Sequence, residues 1–118
     1  MLSLTETTKV YLACGNTDMR KSINGLAALV SQTFQLDLFN HSLFVFCNRG
    51  QDKLKILYWD HNGFWLCYRR LEKGRFKWPP KSGCQPLAVT RRELQWLLDG
   101  LELEQKQAHK SVTARKVI

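Results

Sequence analysis

Residues 53–71 read KLKILYWDHNGFWLCYRRL. Two runs of strand-forming residues, Lys53 to Trp59 and Phe64 to Leu71, flank the tetrapeptide Asp60-His61-Asn62-Gly63. Asn-Gly between two such runs is a strong hairpin signal, because both residues accept positive φ at small steric cost. Side chains alternate along a strand, so the hairpin has two defined faces. For a loop of two or four residues alike, Lys53, Lys55, Leu57 and Trp59 share a face with Phe64, Leu66, Tyr68 and Arg70. Leu54, Ile56, Tyr58, Trp65, Cys67, Arg69 and Leu71 form the other face. The second set is the more apolar and is assigned to the core. The first, basic at one end and aromatic at the other, is assigned to the surface.

Working outward, LFVFCN from Leu43 to Asn48 is almost continuously apolar and too short for a helix, so it reads as a buried strand. KVYLAC from Lys9 to Cys14 reads as a further short strand. A helix is predicted from about Met19 to Phe34, where Ile23, Leu26, Ala27, Val30 and Phe34 recur at offsets of three and four. Thr17 or Asp18 is placed to cap it. A short strand is expected around Phe76 to Trp78, ended by Pro79-Pro80. Thr90-Arg91-Arg92-Glu93 has the spacing of a capping box, and Leu94, Leu97, Leu98 and Leu101 mark one face of the helix that follows. The expected fold is α+β: an antiparallel meander with an N-terminal and a C-terminal helix. It occupies residues 1–104 as one domain, followed by a basic, flexible tail at 105–118.

A chain of 118 residues suits a single domain, and a hydrophobic fraction of 44% with four Trp supplies a core. No apolar run approaches the roughly 20 residues that span a bilayer. The first ten residues lack the pattern of a secretory signal, so a soluble, cytoplasmic protein is expected. The formal net charge is +8, which points to a polyanion. That charge is concentrated between Arg49 and Arg92, where eleven basic side chains face three acidic ones. Tyr58, Trp59, Phe64, Trp65, Tyr68, Phe76 and Trp78 are interleaved with them. Basic side chains neutralise phosphates and aromatic faces stack on bases. The candidate nucleic-acid contacts are Arg49, Lys53, Lys55, Trp59, Tyr68, Arg70, Lys73, Arg75 and Lys77.

Other chemistry finds little support. Cys14, Cys47, Cys67 and Cys84 are widely spaced, and His41, His61 and His109 are isolated, so neither a metal site nor a redox pair is indicated. Gly15 to Ser22 has the spacing of a phosphate-binding loop, but Arg20 stands where the second glycine belongs. Arg20, Lys21 and Ser22 are candidate contacts to one phosphate of a larger polyanion. The carboxylates are scattered, and no catalytic site or cofactor is indicated.

The segments VYLACGNTDMRKSINGLAALV, LFVFCNR, DKLKILYWDHNGFWLCYRRLEKGRFKWP and VTRRELQWLLDGL resemble the small TnpB-type accessory proteins, second-reading-frame products of insertion sequences of the IS-sixty-six family. The likeness covers about residues 9–103. It implies an accessory role in DNA transposition beside a separate transposase that carries the catalytic carboxylates. Two readings follow. The protein binds element-end or target DNA through a basic, aromatic sheet surface, or it is an interaction module that contacts the transposase without touching DNA.

Overall fold

The structure is a computed structural model and describes residues 8–81, 83 and 85–103. The basic tail at 105–118 lies outside the described residues. The elements are β1 (Val10–Leu12), α1 (Ile23–Ala28), β2 (Leu43–Cys47), β3 (Lys53–Asp60), β4 (Gly63–Arg70), β5 (Leu87–Val89) and α2 (Arg91–Leu98). One five-stranded sheet runs in the order β4-β3-β2-β1-β5. The fold class is α+β, with β2–β3–β4 as the antiparallel meander.

The first strand extends the meander with the opposite sense. β1 pairs parallel to β2, Val10 opposite Leu43, because α1 and its loops return the chain before β2 begins. β5 then closes the far edge antiparallel to β1, Val10 opposite Val89. β2 is therefore interior and buried on both faces, which accounts for its unbroken apolar run. Leu43, Val45 and Cys47 join Val10, Leu12, Leu54, Tyr58, Leu94 and Leu97 on the α2 side. Phe44 and Phe46 join Leu26, Val30 and Leu57 on the α1 side. Fully burying a residue such as Phe46 stabilises the fold by about 1.5–3 kcal/mol. The hairpin face expected at the surface is thus covered over its middle: Leu57, Phe64 and Leu66 pack toward α1.

Three local expectations shift. Of the two loop lengths expected the hairpin takes the shorter, and its two residues are His61 and Asn62 and not Asn62 and Gly63, so the positive φ of 58° falls on His61. The Asn62 amide donates to the Asp60 carbonyl at 2.6 Å, a three-residue turn centred on His61. The first helix is shorter than its apolar pattern. It begins after Ser22, and beyond Ala28 it widens into a π-helical turn, Leu29–Thr33, in which the Phe34 amide donates to the Leu29 carbonyl at 2.9 Å. No strand forms at 76–78. Phe76 and Trp78 are buried plugs instead, the Phe76 amide donating to the Gln51 carbonyl at 2.7 Å and the Trp78 indole to the Ala13 carbonyl at 3.0 Å. Partners outside the sheet ladder satisfy these groups, and Pro79-Pro80 has no amide hydrogen to continue a ladder. The Thr90–Glu93 capping box is formed, with both reciprocal bonds present.

Candidate nucleic-acid interface

The parallel pair β1 and β2 ends on the same edge of the domain, and three loops meet there. The first is the Asn48–Lys53 turn between β2 and β3. Its Asn48 side chain accepts from the amides of Asp52 and Lys53, both at 3.0 Å, and donates to the Asp52 carboxylate at 2.7 Å. That amide donor, helped by the Lys53 and Arg75 charges, holds the Asp52 carboxyl below its ordinary range. The second loop follows β4 and is drawn back onto the turn by Leu71 N–H to the Asp52 carbonyl at 2.8 Å and by Phe76 N–H to Gln51. The third, between β1 and α1, is tied to the others by Thr17 N–H to the Cys47 carbonyl at 2.7 Å and Gly15 N–H to the Pro79 carbonyl at 3.0 Å.

These bonds gather on one end of the sheet residues that the sequence spreads from position 49 to 77. Arg49, Arg70, Lys73, Arg75 and Lys77 are exposed, and Lys53, directly opposite Arg70, is half-buried. Arg70 meets Glu72 at 2.8 Å, a pair exposed on both sides and open to exchange for another anion. Tyr68, 54% exposed, lies on the same face as Arg70, opposite Lys55. Lys81 extends the group toward the β1–α1 loop. With Lys21 it lines a cleft of about 240 Å³ whose walls also include Ala13, Leu29 and Phe34. Its place there was not legible in the sequence, because it depends on the close packing of Gly15, where an added Cβ would lie 2.8 Å from that of Lys81.

Two of the sequence candidates have other partners. The Lys55 ammonium donates to the carbonyls of Met19 and Lys21 at 2.7 and 2.8 Å. It is a tether between β3 and the loop before α1. Trp59 lies six residues along β3 from Lys53, about 20 Å away at strand rise. It stacks edge-on with Phe39 and Phe64, ring centroids 4.8 and 5.0 Å away, so the aromatic end and the basic end are separate places.

In the Gly15–Ser22 loop, Arg20 is held by Asp18 through a bidentate contact, 2.7 Å at its shortest. The Arg20 side chain and amide keep the Asp18 carboxyl down at about 2. Ser22 caps α1 through its backbone position with no side-chain bond, and Lys21, unlike Arg20, forms no ion pair with a described carboxylate. On α2, the Arg92 guanidinium sits 5.2 Å over the Trp96 ring. Among the described residues no group of His, Cys, Asp or Glu is arranged to hold a metal ion. Burial pushes the Cys47 thiol up to about 12 and raises that of Cys14, which removes thiolate character from both. Cys84 lies outside the described residues. What the sheet end offers is an arc of monovalent donors on long stems, a chemistry of phosphate contact.

A family described as IS66 Orf2 like protein matches residues 8–108, a span that includes every described strand and helix. The chain belongs to the IS66 Orf2-like family. Members of that family are accessory proteins of transposition carried by insertion sequences. This IS66 Orf2-like protein is 35% identical over 107 residues to the uncharacterized protein y4hO of Sinorhizobium fredii, covering 91% of this chain and 92% of that one. It is also 35% identical over 95 residues to the uncharacterized protein y4jC of the same organism, covering 80% of each chain. No solved structure matches it. No helix among its described residues is long and apolar enough to cross a membrane.

Proposed function

We propose that this IS66 Orf2-like protein assists transposition by holding the phosphate backbone of the element's DNA on the basic end of its sheet, in the cytoplasm and beside the transposase. One observation carries the reading: the β2–β3 turn and the loop after β4, bonded to each other at the open end of the hairpin, bring Arg49, Lys53, Arg70, Lys73, Arg75 and Lys77 to one end of the domain. Charge gathered by folding alone is the electrostatic footprint of a polyanion site. Tyr68 offers a ring beside it for a base or sugar, and Lys21 with Lys81 extends the phosphate path toward the β1–α1 loop. Lys55 and Trp59 serve the interface indirectly, by fixing the two ends of the hairpin.

Contacts to phosphate carry little sequence information, so weak discrimination is expected. The test is a titration of the protein against element-end and scrambled duplexes at two salt concentrations. About five phosphate contacts give a slope of log affinity against log salt of roughly −4 to −5, similar for both DNAs. Absence of binding at low salt would move the protein to the role of a transposase-contacting module.

A further inference from the structure

β4 is an edge strand of eight residues, Gly63–Arg70, paired without interruption to β3 from Asp60 opposite Gly63 to Lys53 opposite Arg70. Exposed edges are ordinarily blunted by short length, proline, a bulge or charge. β4 has none of these between Gly63 and Tyr68, where no residue is proline or charged and the register is unbroken. The opposite edge, β5, has only three residues. Among the described residues no element pairs with the outer side of β4. Trp65 and Tyr68, 43% and 54% exposed, stand on its two faces.

We infer that this edge pairs with β4 of a second copy of the chain, antiparallel and centred on Cys67. The inference rests on the edge geometry of β4 and is tested without DNA; it engages Arg70 and Tyr68, which the proposed DNA interface also uses. Leu71 donates its amide inward to Asp52, so odd positions of β4 face β3 and even positions direct their N–H and C=O outward. A two-fold pair centred on Cys67 sets even against even, which forms the outer ladder. It places Leu66 opposite the partner's Tyr68, Trp65 opposite the partner's Arg69, and Phe64 opposite the partner's Arg70.

Each arginine then faces an aromatic ring across the strands, a cation–π pair made four times by the symmetry. The Arg69 side chains of the two copies stand about 14 Å apart at strand rise, beyond the Debye length of about 8 Å. Centring the pair on Leu66 instead sets Arg69 and Arg70 against the Gly63 and Asn62 turn, where no ring meets them. The FWLCYRR stretch from Phe64 to Arg70 is thus complementary to itself in one register, as an isologous interface requires. In that register the two Cys67 side chains meet at a non-hydrogen-bonded pair, Cβ atoms about 4.5–5.5 Å apart.

Sedimentation equilibrium of the full chain tests this. The expected mass is twice 13.8 kDa. Cys67→Lys sets two ammonium groups against each other and weakens association by about tenfold or more. Tyr68→Pro removes one outward amide and abolishes the dimer, while its melting temperature shows the inner ladder intact. Diamide treatment of the wild type joins Cys67 to Cys67: each thiol gives up a proton and an electron, the S–S bond forms, and diamide is reduced to its hydrazine. A wild-type monomer at millimolar concentration would overturn the inference. So would a dimer that survives both substitutions, or one that diamide does not link through Cys67.

Discussion

The ammonium of Lys55 donates to the carbonyl oxygen of Met19 at 2.7 Å, across 36 positions of sequence. A second bond to the Lys21 carbonyl at 2.8 Å leaves this basic side chain occupied inside the fold. A charge that counts toward the +8 segment therefore works as a clamp on the β1–α1 loop. Lys55→Met keeps the aliphatic stem and removes both bonds. Hydrogen bonds to charged groups contribute about 1.5–3 kcal/mol, so urea unfolding should show a loss in that range. DNA affinity of the folded variant should change little.

His61 carries a φ of 58° in a two-residue hairpin loop, a conformation that glycine adopts freely and a β-branched residue resists. His61→Gly should leave stability unchanged or raise it by up to about 1 kcal/mol, whereas His61→Val should lower it by about 1–2 kcal/mol. Thermal melts of the two variants give the comparison. Equal melting temperatures would place the strain elsewhere in the turn.

Thr90 accepts the Glu93 amide at 3.0 Å, and the Glu93 carboxylate accepts the Thr90 amide at 2.8 Å. Thr90→Ala removes the side-chain half of this box and should cost about 1 kcal/mol. The loss should appear in the denaturant midpoint, with the slope of the transition unchanged.

The Asp18 carboxyl, held at about 2 chiefly by the Arg20 side chain, ionises more readily in the folded protein than in the unfolded chain. A depressed folded value means that the pair's contribution is present above the ordinary carboxylate range and is lost as pH falls through about 2. Carboxyl-carbon NMR of the wild type should show the Asp18 midpoint near 2, and Arg20→Ala should return it toward 3.8. An unchanged midpoint in the variant would remove Arg20 as the cause.

The parts of the fold that were readable in sequence are those determined by neighbours in the chain. The alternation of residues 53–71 yields the two hairpin faces that the observed register reproduces, Lys53 opposite Arg70 and Trp59 opposite Phe64. The unbroken apolar run of β2, which marks it as an interior strand, and the Thr90 cap are equally legible from neighbours in the chain. The rest depends on what a distant segment brings. Phe76 and Trp78 have strand-like side chains, yet their donors are taken by Gln51 and Ala13, so the segment plugs the sheet end. Lys55 looks like its neighbour Lys53 in sequence, and only the loop before α1, with two carbonyls turned toward it, separates their roles. For the candidate interface the sequence displayed the charge, while the hydrogen bonds of Leu71, Phe76, Thr17 and Gly15 display its assembly on one end.

The central claim, that this end holds DNA phosphates, is tested most directly by the salt dependence of binding in a variant that empties part of the arc. Lys73, Arg75 and Lys77 are exposed and lie outside every helix and strand, so replacing all three by alanine should leave the melting temperature nearly unchanged. Fluorescence anisotropy with a labelled duplex, repeated across a salt series, should give a wild-type slope of about −4 to −5, flattened by about 2.7 in the triple variant. A slope that does not change with the three substitutions, in a protein that still binds, would place the DNA on another surface and contradict the account.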